Sequence, residues 1–387
     1  MELQMSLQNQ TSVAMLLTMH LLMNEANNTN CVFSPLSIHT VLSLISSGAK
    51  GSTLSQLLSF LKSNSATSLA SLASQLVGTV LSDASNSGGP KLLTGTRLWL
   101  EKSLSLKPSF RQVLQSSYKA NAVPADFIRK ADATRIEANS WVSKQTNGLI
   151  KDILPAGSVT DMTRFIVANA IYFKGVWKSK FDVASTKDDD FHLLGGGVVR
   201  VPFMRSQKDQ FVSAYPGFKV ARLPYYQGKD KRQFSMYVFL PDSRDGLPQL
   251  VRTVLSDPKV LSQHLPQQQV PIGDFMIPRF RISYGFEASK LLEGMGLTAP
   301  FTDQADLSNT FDSVMGQRVF ISGIFHKAFI QVNEEGTEAA AASAAVISVT
   351  SFPLNPVSFV ADHPFLFIIR EDISGAILFT GQVLKPT

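Results

Sequence analysis

One pair of residues in this chain has a spacing known from enzymes. Ser47-Gly-Ala-Lys50 fits the Ser-x-x-Lys pattern, in which a lysine assists an acylated serine. The companion Lys-Thr-Gly is absent, and Ser-Gly-Ala-Lys-Gly reads equally well as the end of a helix. No Gly-x-Ser-x-Gly, His-Glu-x-x-His or phosphate-loop pattern occurs, and Cys31 is the only cysteine. Gly195 to Gly197 is a turn between strands, because no helical pattern follows to cradle a phosphate. Two glycosylation sequons, at Asn9 and Asn27, carry weight only in a secreted chain. The chain thus offers no nucleophile–base pair of its own, and neither catalytic residues nor a metal or cofactor is expected.

A different kind of reactivity is written into residues 333–352. Ala339 to Ala345 has the composition of a helix, with Thr337 placed to cap it and Glu338 in its first turn. Val346 to Phe352, in contrast, is β-branched and strand-like. A capped surface helix leading into an edge strand is one reading. The alternation supports another: Thr337, Ala339, Ala341, Ser343, Ala345 and Ile347 would share one face of a strand, and none is charged, large and polar, or proline. Such a face can enter the middle of a sheet. Each ladder hydrogen bond nets about 0.5 to 1.5 kcal/mol and ordering a residue costs about 1 to 2 kcal/mol, so the side chains decide. Gly336, free to adopt positive φ, stands where the segment would hinge.

Positioning this segment requires a scaffold, and the remaining patterns supply one. Gln8 to Asn24 reads as a helix with a stripe of Val13, Leu16, Leu17, His20 and Leu21. Cys31-Val-Phe-Ser-Pro-Leu-Ser-Ile38 reads as a short strand running into a helix capped by Ser34 with Pro35 in its first turn. Residues 52–82 give one or two helices, Leu92 to Leu100 a strand, and Asp132 to Asn147 a helix stopped by Gly148. Phe165 to Phe173 is nearly all apolar, as a central strand covered on both faces should be. Asn169 lies inside it and needs a partner, since a buried unsatisfied amide costs about 1 to 3 kcal/mol. Strands are expected at Phe191 to Met204, Phe211 to Pro224, Phe234 to Leu240 and Phe275 to Ser283, and a helix from Phe286 to Met295.

At these positions the chain resembles a known family. Glu334-Glu335-Gly336-Thr337-Glu338-Ala339-Ala340-Ala341-Ala342 resembles the hinge of the serpins. Phe33-Ser-Pro-Leu-Ser-Ile38 is similar to their shutter segment. Asn169-Ala-Ile-Tyr-Phe-Lys-Gly-Val-Trp177 with Phe181 is similar to a strong motif in which the asparagine joins a histidine, here His326, near Ser34 and Ser37. Asn139 to Pro155 resembles the helix across the main sheet and leans toward the plant branch. Ile277 to Ile282, Met295 to Leu297, Ala305 to Ser308, Phe359 to Phe367 and Ile377 to Val383 follow in family order, so the likeness spans essentially the whole chain.

The resemblance implies an α+β fold: a single domain over 1–387 with three β-sheets, eight to nine helices and an exposed reactive-centre loop at about 334–356. It implies a protease inhibitor acting as a suicide substrate. The target is a serine protease, or a papain-like cysteine protease, held in a covalent complex. In the family the cut follows the seventeenth residue counted from the first hinge glutamate, which is Thr350, so the reactive bond is Thr350–Ser351. Ser348, Val349 and Phe352 would flank it and set specificity, a small apolar pocket suiting Thr350. Ser34, Ser37, Asn169, Trp177 and His326 would form the shutter and breach beneath the sheet that opens. A non-inhibitory serpin acting as a binding or chaperone-like module is the alternative, although such a chain should carry proline or charge on the inserting face.

Composition sets outer limits. With 387 residues, 44% hydrophobic and 17% charged, the chain can bury a large core and is neither disordered nor a coiled coil. A net charge of +6 comes from basic residues scattered along the sequence, so nucleic-acid binding is not expected. Residues 63–90 contain no Lys or Arg, where serpins that respond to heparin-like polyanions concentrate them; no such cofactor is expected. One cysteine permits a reducing compartment. The start lacks the basic residues of a signal peptide, and Val13 to Met23 is too short to span a bilayer. A monomer in the cytoplasm or nucleus, without membrane partners, is the expectation.

Overall fold

The computed structural model describes residues 2–312, 319–337 and 356–386. The chain opens with α1 (Glu2–His20), which closes in a π turn (Leu21–Glu25). It continues through β1 (Cys31–Phe33), α2 (Pro35–Gly48), α3 (Gly51–Phe60) and α4 (Ala66–Gly78). Then come β2 (Lys91–Glu101), α5 (Pro108–Ser116), β3 (Asn121–Ala125), α6 (Phe127–Gln145) and β4 (Phe165–Val176). The strand-rich middle comprises β5 (Lys187–His192), β6 (Val198–Ser206), β7 (Phe211–Tyr215), β8 (Phe218–Pro224) and β9 (Phe234–Pro241), followed by α7 (Leu247–Val254) and α8 (Pro258–Gln263). The last part holds β10 (Ile272–Pro278), β11 (Phe280–Glu287), α9 (Ala288–Gly294), β12 (Gly323–Asn333), β13 (Gly336–Thr337), β14 (Val357–Val360), β15 (Phe365–Glu371) and β16 (Ile377–Val383).

The strands form three sheets, as expected for this mixed class. The main one runs β11-β12-β13-β4-β2-β3, a second β1-β16-β15-β9-β8-β7, and a four-stranded third β14-β10-β6-β5. β4 lies at the middle of the main sheet, and its first nine residues are all buried. Its side chains alternate between two packed layers. Ile166, Ala168, Ala170 and Tyr172 face outward under α6, against Ala138, Val142 and Phe127. Ile171 and Phe173 face inward toward the second sheet, among Phe234, Phe367 and Phe379. A strand covered on both faces reads as a continuous apolar run, which is why its sequence shows no alternation.

Helix starts follow local chemistry. The Ser34 hydroxyl oxygen accepts the Ser37 N–H at the head of α2, Ser65 does the same for Ser68 in α4, and Asp126 for Arg129 in α6. Several expectations need correcting. α1 begins earlier than Gln8, and Leu16 is 41% exposed, so the buried stripe is Val13, Leu17 and Leu21 without it. The run from Phe191 to Met204 is a hairpin of β5 and β6, turned at Gly196 and Gly197 with φ of +83° and +90°. Phe286 belongs to β11, paired with His326, and α9 starts only at Ala288. The short helices α5, α7 and α8 were not expected. Each begins at or beside a proline, which also punctuates loops.

Candidate functional site

The centre of the molecule is a seam between β12 and β4. These strands pair in parallel from Gly323 opposite Ile166 to Phe329 opposite Tyr172, with His326 opposite Asn169. Both residues point inward, toward the first turn of α2. There the Ser34 backbone N–H donates to His326 Nε2 at 3.0 Å, so Nε2 carries no proton. The proton is on Nδ1, which donates to Asn169 Oδ1 at 2.7 Å. The same oxygen accepts from the Ser37 hydroxyl at 2.7 Å, and the Asn169 amide donates to Thr96 Oγ1 on β2 at 2.8 Å. His326 is fully buried, and burial pushes its pKa down to about 3, so the ring is neutral. A second proton would aim Nε2–H at the Ser34 N–H.

Ser34, Ser37, Asn169 and His326, named from the sequence, therefore meet in one cluster. Thr96 was missed. Its signal was weak: Asn169 has more hydrogen-bonding capacity than a histidine can satisfy, but nothing in the sequence says which strand lies alongside.

At one end of the seam the two strands separate and the chain itself fills the gap. After β12 it turns at Glu334 and Glu335 and returns as β13. This two-residue strand pairs antiparallel with β12 (Thr337 opposite Val332) and with β4 (Thr337 opposite Gly175, Gly336 opposite Val176). Trp177 locks the turn, its indole N–H donating to Asn333 O at 2.9 Å and its backbone N–H to Glu335 O at 2.8 Å. The indole also stacks on Tyr225, with centroids 4.5 Å apart. The Tyr225 hydroxyl lies 2.8 Å from that of Thr337.

Glu334 and Glu335 are both paired. The Arg279 Nε–H is shared between the two carboxylate oxygens of Glu334, at 2.7 and 2.9 Å, and the Thr186 hydroxyl donates a further hydrogen bond. Burial pushes its carboxyl up, but the hydrogen bonds from Arg279 and Thr186 outweigh that and hold it below the usual glutamate range. Glu335 pairs with Lys180 at 2.5 Å.

The sequence put the start of an exposed loop at about residue 334, yet Glu334 and Thr337 are only 4% and 1% exposed. Backbone pairing on both sides and the Arg279 ion pair draw them into the sheet. Glu338, Ala339, Ala340, Ala341, Ala342, Ser348, Val349, Thr350, Ser351 and Phe352 lie outside the described residues. Lys180, Thr186 and Tyr225 come from distant segments and had no sequence signal, and Arg279 lies in the Ile277 to Ile282 string, which carried no hint of its pairing with Glu334.

The rival enzyme-like pair has no comparable arrangement. The Ser47 hydroxyl, in the last turn of α2, donates to Ser43 O at 3.4 Å and meets Tyr118 at 3.2 Å. Asn9 is an α1 residue whose amide donates to Lys62 O. Among the described residues no helix is long and apolar enough to cross a membrane.

Comparison with known proteins adds an independent line. Residues 8–386 match a family model described as Serpin (serine protease inhibitor). The chain is 51% identical over 384 residues to Serpin-ZX of Arabidopsis thaliana, covering 98% of each chain. It is 48% identical over 387 residues to Serpin-Z2B of Triticum aestivum, covering 100% of this chain and 97% of that one. The solved structure of Arabidopsis AtSerpin1, described as a native stressed conformation, matches with a TM-score of 0.92 at 49% identity, over 100% of this chain and 99% of that one. Uncleaved ovalbumin matches at 27% identity with a TM-score of 0.82, over 98% of this chain and 99% of that one.

Proposed function

This chain belongs to the serpin family and is a protease inhibitor, and from that premise we propose that it acts as a suicide substrate cut between Thr350 and Ser351. The attacking serine or cysteine belongs to the target, which forms an acyl-enzyme on Thr350. Before water releases it, the freed segment enters the β12–β4 seam as a new central strand. The attached protease is dragged along and its active site distorted, and a displacement of about 1 Å can slow catalysis on the order of 100-fold. No residue of this chain performs chemistry; the molecule is consumed.

The observation that carries this reading is β13. It is already antiparallel to both β12 and β4 at the point where they part, while beyond it they still pair with each other. Continuing the same register brings Glu338 opposite Lys174 and Gln331, and Ser343 opposite Asn169 and His326. Ser343 is the only polar residue of the inward column between Ala339 and Ile347, and it arrives at the only polar pair of the seam. The alanines of that column, Ala339, Ala341 and Ala345, would meet apolar neighbours. The hinge, shutter and breach roles of Glu334 to Ala342, Ser34, Ser37, Asn169, Trp177 and His326 follow from that motion.

The same reading makes a monomer that meets a serine protease, or a papain-like protease that reads Val349, in the cytoplasm or nucleus. It is tested by mixing the protein with a panel of such proteases and running a denaturing gel. A covalent band of higher mass is expected. Loop cleavage without that band would instead indicate a non-inhibitory binding module, and turnover of substrate a hydrolase.

A further inference from the structure

Lysines far apart in the sequence meet at the end of the main sheet where β13 is wedged. Lys91, at the head of β2, is the cross-strand partner of Lys174 on β4. Such partners send their side chains to one face with Cβ atoms about 4.5 to 5.5 Å apart, and like charges so placed repel. The face is the outer one, because the next pair on it, Leu93 and Tyr172, packs under α6.

Three backbone segments are laced together beside this pair. The Lys229 N–H donates to Ser87 O at 2.8 Å, Tyr226 N–H to Val176 O at 2.7 Å, and Lys178 N–H to Pro224 O at 2.8 Å. They add Lys178, Lys229 and Lys231, all exposed, to the same end of the sheet.

Nearby carboxylates are engaged elsewhere. Asp230 holds Arg232 at 2.6 Å, Glu335 holds Lys180, and Asp83 accepts the backbone N–H groups of Ser85 and Leu92. Among the described residues neither Lys91 nor Lys174 has a carboxylate within ion-pair distance.

We propose that Lys91 and Lys174, supported by Lys178 and Lys229, form a binding site for a ligand bearing consecutive phosphate groups. Two adjacent ammonium groups on one face can hold neighbouring phosphate oxygens together, and the multiple charges of an oligophosphate relieve the cross-strand repulsion. The stretch 63–90, which has no Lys or Arg, contributes none of this charge; the site is assembled by the sheet. Lys174 is also the residue that loop insertion would set opposite the Glu338 carboxylate. In that respect, which rests on the proposed function, ligand and loop compete for Lys174, and the ligand favours the uninserted form.

The test is titration of the uncleaved protein with sodium tripolyphosphate, by calorimetry and by melting temperature, at ionic strength held constant with NaCl. Saturable binding and a raised melting temperature are expected. Affinity should fall at least about tenfold in the Lys91→Gln/Lys174→Gln double variant, equivalent to about 1.4 kcal/mol, and stay unchanged in Lys259→Gln on α8. Removing the repulsion should leave the double variant at least as stable as the parent, so failure to fold is not expected. Equal affinity in the double variant, or a thermal shift that NaCl reproduces, overturns the site. ATP in a parallel arm separates the sources: affinity no better than tripolyphosphate assigns recognition to the phosphates alone. The loop-cleaved protein should bind at least about tenfold more weakly. If it binds as tightly as the intact one, the competition and the insertion register fail while the site stands.

Discussion

Asn169 and His326 face each other across the β12–β4 seam and share a 2.7 Å hydrogen bond. It is the polar contact that a strand entering between them must break. Its buried surroundings explain why it holds: an unpaired amide or imidazole there costs about 1 to 3 kcal/mol, so the seam stays closed until something supplies replacement partners.

Acid should weaken that seam. The folded pKa of His326 is about 3, below the ordinary 6.5 or so of an unfolded chain. The native form therefore binds fewer protons, and its stability is complete above about pH 6.5 and falls as pH drops toward 3. His39, pushed down to about 4 by burial, acts in the same direction. Urea unfolding of the uncleaved protein should show roughly 2 to 3 kcal/mol lost to His326 between pH 7.5 and 4.5. In His326→Gln that portion of the pH dependence should vanish; an unchanged slope would refute the assignment.

Gly336 cannot carry a side chain where it stands. Its φ is +146°, and a Cβ would lie 2.1 Å from the Gly175 carbonyl oxygen and 2.7 Å from Val176 Cα, both backbone atoms that cannot step aside. Gly336→Ala should destabilise the uncleaved form by at least about 1 to 3 kcal/mol, read as a lower melting temperature with loss of exchange protection at Thr337. Unaltered protection would mean that β13 does not pair as described.

Thr337 probes the inward column. It is 1% exposed and its hydroxyl meets Tyr225, so an arginine there would bring an unpaired charge into the sheet at several kcal/mol. Thr337→Arg should be cut by the target protease at the usual bond yet yield no covalent complex on a denaturing gel. Retained complex formation would show that insertion does not start here.

Ser343 separates the register from insertion in general. In Ser343→Val the uncleaved melting temperature should be unchanged, while the gain on loop cleavage should shrink by about 1 to 3 kcal/mol, because Asn169 and His326 would lose their replacement partner. An equal gain in both proteins would place some other residue opposite the pair.

The reactive bond is fixed by mass. A small-pocket serine protease should release a C-terminal peptide beginning at Ser351, and Thr350→Arg should transfer inhibition to an enzyme that prefers basic residues. Cleavage outside Ser348 to Phe352 would defeat the assignment.

What the sequence determined by itself is mostly local. Ser34 and Pro35 start α2 because their own side chains satisfy or forgo backbone donors within one turn, and the nearly continuous apolar run of β4, interrupted at Asn169, announces a strand buried on both faces. The hinge string and its likeness to serpins name the family because those residues are contiguous. Tertiary structure decided the rest. Arg279 and Thr186 reach Glu334, Tyr225 reaches Thr337, and Thr96 reaches Asn169 only because strands distant in sequence are neighbours in the sheets. Lys91 and Lys174, far apart in the sequence, become cross-strand partners for the same reason: register across a ladder is a long-range property, set by the packing of both faces rather than by any short window of residues.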